Sequence, residues 1–458
     1  MANSKRQRGR EAAENELQRT YRGDAEPDES ERVDGHFSTE KREIGMVIAS
    51  LPSGDEEEAD RLAELRELLK TAGVEVAHVM VQHRERPDPK TYFGKGKLDE
   101  LIEEKRGIHP DVIVAEGELT PSQQRHLEDR LKLRVVDRTA VILDIFAQHA
   151  TSAEGKLQVE LAQLDYSYAR QEGLWQHLER LGGGVGTRGP GESQLESDRR
   201  LIRTRMGALK TRLKELERTR GVMRRRRLDA GVPRVALAGY TNAGKSTLMN
   251  ALTGAGVSVN DALFETLDPT VRTFEHEGMQ VLLSDTVGFI RHLPHELVAA
   301  FRSTLDEAID AHLILHVADA SASDRRRFEQ SGAVDEVLAD IGAAETPRTL
   351  VLNKVDLLSQ EQREELRDQL PDAIQVSAAS GEGMEELRQR LVRLAREQLT
   401  EIELFIPYSR GDLVSAVYAV GRDIVQESEE RGSRIRARLP PADAHRIQQD
   451  LASSGGKT

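Results

Sequence analysis

Residues 233–252 pass without interruption from an apolar run into a glycine-bounded loop and then into a helical pattern. Pro233-Arg234-Val235-Ala236-Leu237-Ala238 reads as a strand. Gly239-Tyr240-Thr241-Asn242-Ala243-Gly244-Lys245-Ser246 follows directly, and a helix opens around Thr247. This is the G-x-x-x-x-G-K-S phosphate loop in the strand–loop–helix setting that the loop requires. It restricts the fold, because such a loop works at the carboxyl end of a strand in a mostly parallel α/β sheet. Glycines let backbone N–H groups close around phosphate oxygens. Lys245 brings a compact charge to the β- and γ-phosphates, and Ser246 offers its hydroxyl to Mg²⁺.

Three companions follow in order. Asp285-Thr286-Val287-Gly288 ends the apolar strand Val281-Leu282-Leu283. An Asp at that strand end can hold Mg²⁺ through water, and the Gly N–H can sense a γ-phosphate. Asn353-Lys354-Val355-Asp356 follows Leu350-Val351-Leu352. The Asp356 carboxylate can accept both donors on the guanine edge, a pair that adenine lacks, so GTP is expected over ATP. Ser377-Ala378-Ala379 follows residues 373–376 and would turn a backbone N–H toward the guanine oxygen. The four elements in this order resemble the guanine-nucleotide switch family.

Between the first two lies the switch candidate Phe264-Glu265-Thr266-Leu267-Asp268-Pro269-Thr270. A threonine here can complete the Mg²⁺ shell while the γ-phosphate is present and release after hydrolysis. Both Thr266 and Thr270 qualify on position alone. Phe289 stands where many switch GTPases carry a Gln that orients the attacking water, so unaided hydrolysis is expected to be slow. Similar GTPases with Asn at the position of Asn242 bind K⁺ beside the β- and γ-phosphates, which makes K⁺ a second candidate ion. His292 and His295 read as solvated loop residues rather than as a general base.

The remaining chain is read from its patterning. Its 458 residues suggest about three domains at roughly 150 residues each. There is no cysteine, which excludes disulfides, thiolate metal sites and thiol nucleophiles. Aromatic residues make up only 4%, with Trp175 the single tryptophan, so base stacking is not the expected binding mode. No apolar run reaches bilayer length and the N-terminus lacks the pattern of a signal peptide, so a cytoplasmic protein without a membrane span is expected.

Residues 1–42 are charged and poor in large apolar side chains and read as a disordered, solvated tail. Residues 43–138 alternate strands (45–51, 74–81, 111–115, 134–136) with helices, as in a parallel α/β domain. Thr120-Pro121-Ser122-Gln123 has the form of a helix capping box.

Residues 139–231 carry two heptad seams. Leu157, Leu161, Leu164, Tyr168, Trp175 and Leu178 form one; Leu195, Ile202, Met206, Leu209, Leu213, Leu216 and Met223 form the other. An antiparallel helical hairpin with a glycine-rich tip at 182–191 follows from them. The tip holds a G-x-G-x-x-G spacing but no preceding strand, so it is not a dinucleotide site. Between 198 and 227 the second arm has thirteen Lys and Arg against three acidic residues, inside a chain of net charge −14. Such a local excess fits a polyanion such as RNA. Residues 232–399 are the expected nucleotide domain, and 400–458 a small α+β domain.

With these residues in view, the chain resembles an HflX-type GTPase over nearly its whole length. The resemblance rests on Gly239–Ser246, on the segments 264–272 and 285–293, and on motifs further upstream. These are Thr91-Tyr92-Phe93-Gly94-Lys95-Gly96-Lys97, Glu118-Leu119-Thr120-Pro121-Ser122-Gln123-Gln124-Arg125, and Arg188-Gly189-Pro190-Gly191-Glu192. It implies a P-loop GTPase domain preceded by an α/β domain with a long hairpin and followed by the small α+β domain. It implies Ser246 and Thr266 as magnesium ligands, with Lys245 and Thr266 serving hydrolysis and Thr247 completing the nucleotide contacts. It implies GTP and GDP as ligands, the large ribosomal subunit and its RNA as partner, and a role in splitting or rescuing stalled ribosomes. The RNA-contact candidates are Arg188, Arg199, Arg200 and Arg203. A monomer is expected, cytoplasmic and in part membrane-peripheral. An RNA-remodelling factor and a protein scaffold are the competing readings.

Overall fold

The computed structural model describes residues 42–52, 55–181, 190–229, 232–254, 263–264, 270–291 and 302–454. The tail 1–41 and most of the glycine-rich tip therefore lie outside the described residues.

The first sheet contains β1 (Glu43–Leu51), β2 (Val74–His83), β3 (Val112–Ala115) and β4 (Arg134–Asp137), all parallel, in the order β2-β1-β3-β4. Its connections are α1 (Asp55–Thr71), α2 (Lys95–Ile108) and α3 (Pro121–Leu131). Both faces are covered, so β1 is apolar along nearly its whole length rather than alternating. Val47, Val112 and Val114 pack with Leu65, Leu68 and Leu69 of α1 on one face. Met46, Ile48 and Ile113 pack with Leu98, Leu101 and Leu127 on the other. The capping box opens α3. The Thr120 hydroxyl accepts the Gln123 N–H at 3.2 Å, and the Gln123 side chain accepts the Thr120 N–H at 2.9 Å.

After β4 the chain forms α4 (Arg138–His149), α5 (Ala153–Leu181) and α6 (Pro190–Asp229). This corrects the expected hairpin start at residue 139. Val141, Ile142, Leu143, Ile145 and Phe146 are all buried, and α4 belongs to the first domain's core rather than to an arm. The paired arms are α5 and α6. Leu157, Leu161 and Leu164 meet Met206, Leu209, Leu213 and Leu216, as the heptads require. Arg205 reaches Glu160 at 2.7 Å and Arg203 reaches Tyr168 at 2.7 Å, which sets an antiparallel register. Pro190 and Gly191, expected in the tip, open the second arm, where proline suits the first helical turn. The side chains of Trp175, Leu178, Leu195 and Met223 lie outside the described residues.

One buried carboxylate bolts the hairpin to the sheet. Asp137 ends β4, caps α4 through the Ala140 N–H at 3.0 Å, and accepts the Tyr166 hydroxyl at 2.7 Å and the Leu119 N–H at 3.2 Å. Arg170 pairs with the same carboxylate, lies over the Tyr166 ring, and reaches Gln124 at 2.9 Å. Burial, reinforced by Asp137, keeps the Tyr166 hydroxyl protonated far above its usual range.

The second sheet has β5 (Arg234–Gly239), β6 (Thr270–His276), β7 (Met279–Asp285), β8 (Leu313–Asp319), β9 (Arg348–Asn353) and β10 (Ile374–Gln375) in the order β10-β9-β8-β5-β7-β6. Only β6, at the edge, runs antiparallel to its neighbour. One face is covered by α7 (Lys245–Thr253) and, further on, by α11 (Met384–Glu397). The other is covered by α8 (Arg302–Ile309) and α9 (Asp324–Asp340), while α10 (Gln360–Gln369) packs Leu366 near β9.

The C-terminal unit is the antiparallel sheet β11 (Thr400–Pro407), β12 (Arg422–Glu429) and β13 (Gly432–Leu439), ordered β11-β13-β12. It is backed by α12 (Gly411–Val420) and α13 (Pro441–Ser454). The residues of β12 are mostly exposed and polar and carry little strand signal of their own.

Removing the Asp137 carboxylate would leave Arg170 and two backbone N–H groups without their acceptor. Asp137→Ala is expected to lower stability by about 3 kcal/mol, measured by urea unfolding of the full chain. A loss below about 1 kcal/mol would show that the hairpin is held by its apolar seam alone.

Candidate functional site

The phosphate loop leaves β5 at Gly239, where a Cβ would lie 2.2 Å from the Val317 carbonyl oxygen. Only glycine lets β5 and β8 lie this close. Gly244 has φ +87° and a Cβ there would meet the Asn353 amide at 2.3 Å. Between them Asn242 takes φ +60° and is exposed, while Thr241 and Ala243 are buried.

Lys245 opens α7 with its side chain buried. Its ammonium donates to the carbonyls of Gly239 at 3.1 Å and Tyr240 at 3.0 Å. Burial pushes it down to about 8, with Asp285 pulling the other way. The Ser246 hydroxyl donates to the Asp285 carboxylate at 2.7 Å. A hydroxyl and a carboxylate side by side at the phosphate loop are hard oxygen donors of the kind Mg²⁺ takes alongside phosphate oxygens.

The segment after β7 is fixed by its backbone. Thr286 donates its hydroxyl to the Leu237 carbonyl at 2.7 Å. The Phe289 N–H donates to the Gly239 carbonyl at 3.1 Å, and the Thr241 N–H donates to the Phe289 carbonyl at 2.7 Å. Gly288 sits between, and a Cβ there would lie 2.8 Å from Thr241 and 3.0 Å from the Lys245 ammonium. The Phe289 ring is buried among Ala236, Ala238, Leu305 and Ala308 in the core below. It offers neither the position nor the chemistry to orient a water molecule.

Asn353 joins this loop to the base-side loops. Its amide donates to the Ala243 carbonyl at 2.9 Å and accepts the Ala378 N–H at 3.0 Å. Lys354 adopts φ +67° and pairs with Asp319 at 2.8 Å. Val355 is buried beneath, Asp356 is exposed in a short turn, Ser377 is buried and Ala379 is exposed. The four motif elements thus converge at the carboxyl ends of β5, β7, β9 and β10. Glu265, Thr266, Leu267 and Asp268, with His292, His295 and Arg188, lie outside the described residues.

Two RNA-contact candidates have intramolecular partners. Arg199 and Arg203 both donate to the Tyr168 hydroxyl, at 2.9 and 2.7 Å, and lie over its ring. Arg200 beside them is exposed.

The sequence reading missed how far the first domain enters the site. Phe264 takes φ +58° at the edge of the switch candidate. Its ring meets Phe146 edge-on at 4.7 Å, and His149 Nδ1 lies 2.8 Å from its carbonyl. Thr71 accepts the Leu263 N–H at 3.3 Å. Tyr240, Val287 and Ile290 complete the same apolar cluster with Val141 and Ile142. A tyrosine in a loop otherwise made of small residues was the available signal. Its partner Glu64 lies 176 residues away, beyond any local pattern.

The fold and this convergence define a P-loop protein of the guanine-nucleotide class. Three family models match in succession: "GTP-binding GTPase N-terminal" over 59–147, "GTP-binding GTPase Middle Region" over 149–227, and "50S ribosome-binding GTPase" over 234–354. The chain is 45% identical over 398 residues to GTPase HflX of Lacrimispora saccharolytica, covering 86% of this chain and 93% of the relative. It is 44% identical over 405 residues to GTPase HflX of Escherichia coli, covering 88% and 95%. A solved GTP-binding protein of Sulfolobus solfataricus in complex with GDP aligns at 25% identity and a TM-score of 0.40, covering 78% of this chain and 99% of that one. The chain belongs to the HflX GTPase family; it binds GTP and hydrolyses it. Among the described residues no helix is long and apolar enough to cross a membrane.

Proposed function

We propose that this GTPase is a switch on the large ribosomal subunit that splits or rescues stalled ribosomes. The observation that carries the reading is the charged face of the hairpin. Arg200, Arg203, Arg205, Lys210, Arg212, Lys214 and Arg218 are all exposed along α6. Helix α5 alone has 29 residues, a reach of about 40 Å at 1.5 Å per residue. Asp137 anchors this arm to the first domain, and the first domain packs on the phosphate loop. A basic arm with that anchorage can engage rRNA phosphates while its base follows the nucleotide. The description of the family model that matches residues 234–354 supports the same partner. The scaffold reading loses support where the seams are described, because Leu157, Leu161 and Leu164 are packed against Met206, Leu209, Leu213 and Leu216.

At the nucleotide, the residues Gly239 to Thr247 hold the phosphates, Asp285 to Gly288 read the γ-phosphate, and Asn353 to Asp356 with Ser377 to Ala379 hold the guanine. Ser246 and Thr266 would hold Mg²⁺, with Asp285 contributing through water, and the ion would offset negative charge on the phosphates. Lys245 and Thr266 serve hydrolysis. The core position of Phe289 supports slow turnover until the ribosome completes the site. Asn242, exposed at φ +60°, is the ligand proposed for K⁺. The protein acts as a cytoplasmic monomer, in part at the membrane periphery.

Co-sedimentation with ribosomes in GTP, GDP and a non-hydrolysable analogue tests the partner. Binding is expected with the analogue and should fall steeply and linearly in log–log form as salt rises. Failure to sediment in every nucleotide would sink the proposal, and flat salt dependence would remove the RNA contact. For K⁺, turnover is expected to be several-fold faster in KCl than in NaCl, and Asn242→Ala should erase the difference. Equal rates for the unaltered protein in the two salts would dismiss the ion.

A further inference from the structure

Tyr240 does more than line the loop. Its carbonyl accepts from the Lys245 ammonium, and its hydroxyl accepts the Arg291 N–H at 2.7 Å. The same hydroxyl donates to Glu64 Oε2 at 2.7 Å. Glu64 belongs to α1, in the first domain. Its other oxygen pairs with Arg138, and both side chains are nearly buried. Arg138 in turn donates to the Arg291 carbonyl at 3.2 Å. The backbone of Arg291 is thus gripped at both its N–H and its C=O, three residues beyond Gly288. The Arg291 side chain pairs with Glu329, Glu329 with Arg325 at 3.1 Å, and Arg325 with Asp60 at 2.7 Å, one turn before Glu64 on α1. The circuit leaves α1, crosses the nucleotide domain and returns to α1.

We propose that Glu64 and Arg138 are positioning residues for GTP hydrolysis, acting through the Tyr240 hydroxyl on the segment that carries Gly288. Glu64 orients the hydroxyl hydrogen toward itself, which leaves an oxygen lone pair for the Arg291 N–H. With Phe289 bonded on both sides to the phosphate loop, Arg291 is the next point at which this segment could shift. Gly288 lies so close to Lys245 and Thr241 that a Cβ would not fit, so a shift at Arg291 that strains the two Phe289 bonds would change the spacing of the phosphate-facing groups. A misplacement of roughly 1 Å can cost on the order of a hundredfold in rate. Burial first, and the Glu64 carboxylate second, hold the Tyr240 hydroxyl protonated far above neutral pH, so its donor role is constant. Hydrolysis thereby depends on how the first domain is seated. The inference rests on the reading that the Gly288 N–H faces the γ-phosphate.

The test uses the full chain. Tyr240→Phe removes one oxygen and keeps the ring in its apolar cluster. It is expected to lower kcat about tenfold, the scale of a hydrogen bond to a charged partner, with KM and GDP affinity within about threefold. Glu64→Ala, which also frees Arg138 from its pair, should lower kcat at least as far, while Glu64→Gln, which keeps an acceptor for the tyrosine, should recover most of the rate. The double variant Tyr240→Phe with Glu64→Ala should be no slower than Glu64→Ala alone, because both cut one chain of contacts. An unchanged kcat in Tyr240→Phe, additive losses, or GDP and GTP affinities falling together with thermal stability would each overturn the proposal. Gly288→Ala separates the two ideas. If it spares affinity for the non-hydrolysable analogue, the γ-phosphate reading fails. If it weakens the analogue but not GDP while Tyr240→Phe changes nothing, only the relay fails.

Discussion

Two backbone hydrogen bonds lace the phosphate loop to the start of the second switch: Phe289 N–H to Gly239, and Thr241 N–H to Phe289. Everything near the nucleotide is arranged around this seam. It requires Gly239, because β8 leaves no room for a side chain, and it requires Gly288 beside Lys245. It turns the Phe289 ring downward into the core of the second sheet. On its upper side it presents Tyr240, Val287 and Ile290, and these close the apolar core of the first domain. A chain read from its motifs as separate domains therefore has, at the nucleotide, a core that two of them share.

Charge is organised on the same plan. Ion pairs at the protein surface contribute little, but pairs gripped by hydrogen bonds in the interior specify geometry. The nearly buried Glu64–Arg138 pair and the Asp137–Arg170 pair are of that second kind. One places the first domain on the switch, and the other places the hairpin on the first domain. The net charge of −14 says nothing of either. Acidic residues dominate the average, while seven cations from Arg200 to Arg218 of α6 stand exposed along one arm.

Much of this was legible from the sequence because it is local. The phosphate loop is eight consecutive residues whose glycines answer local steric needs. The capping box spans four residues, and the heptads of α5 and α6 repeat at helical spacing. What was missed is not local. Asp137, Tyr166, Arg170 and Gln124 come from three elements, and Glu64 meets Tyr240 across 176 positions with no periodicity to announce the pairing. Helix α4 was misassigned to the hairpin because an apolar helix beside a heptad seam looks like its continuation. Only its burial against the sheet distinguishes it. Nothing in the spacing of the RNA-contact candidates Arg199 and Arg203 reveals that both meet Tyr168 across the hairpin.

Amide hydrogen exchange on the full chain addresses the shared core most directly. If the first domain and the nucleotide seam are one cooperative unit, the amides of Thr241, Phe289 and Arg291 open together with those of Val141 to Phe146, with the same free energy and the same denaturant dependence. The opposite result is equally clear. First-domain amides that open at much lower cost, with Arg291 exchanging freely while Thr241 stays protected, would mean that the first domain merely rests on the switch and does not form part of it.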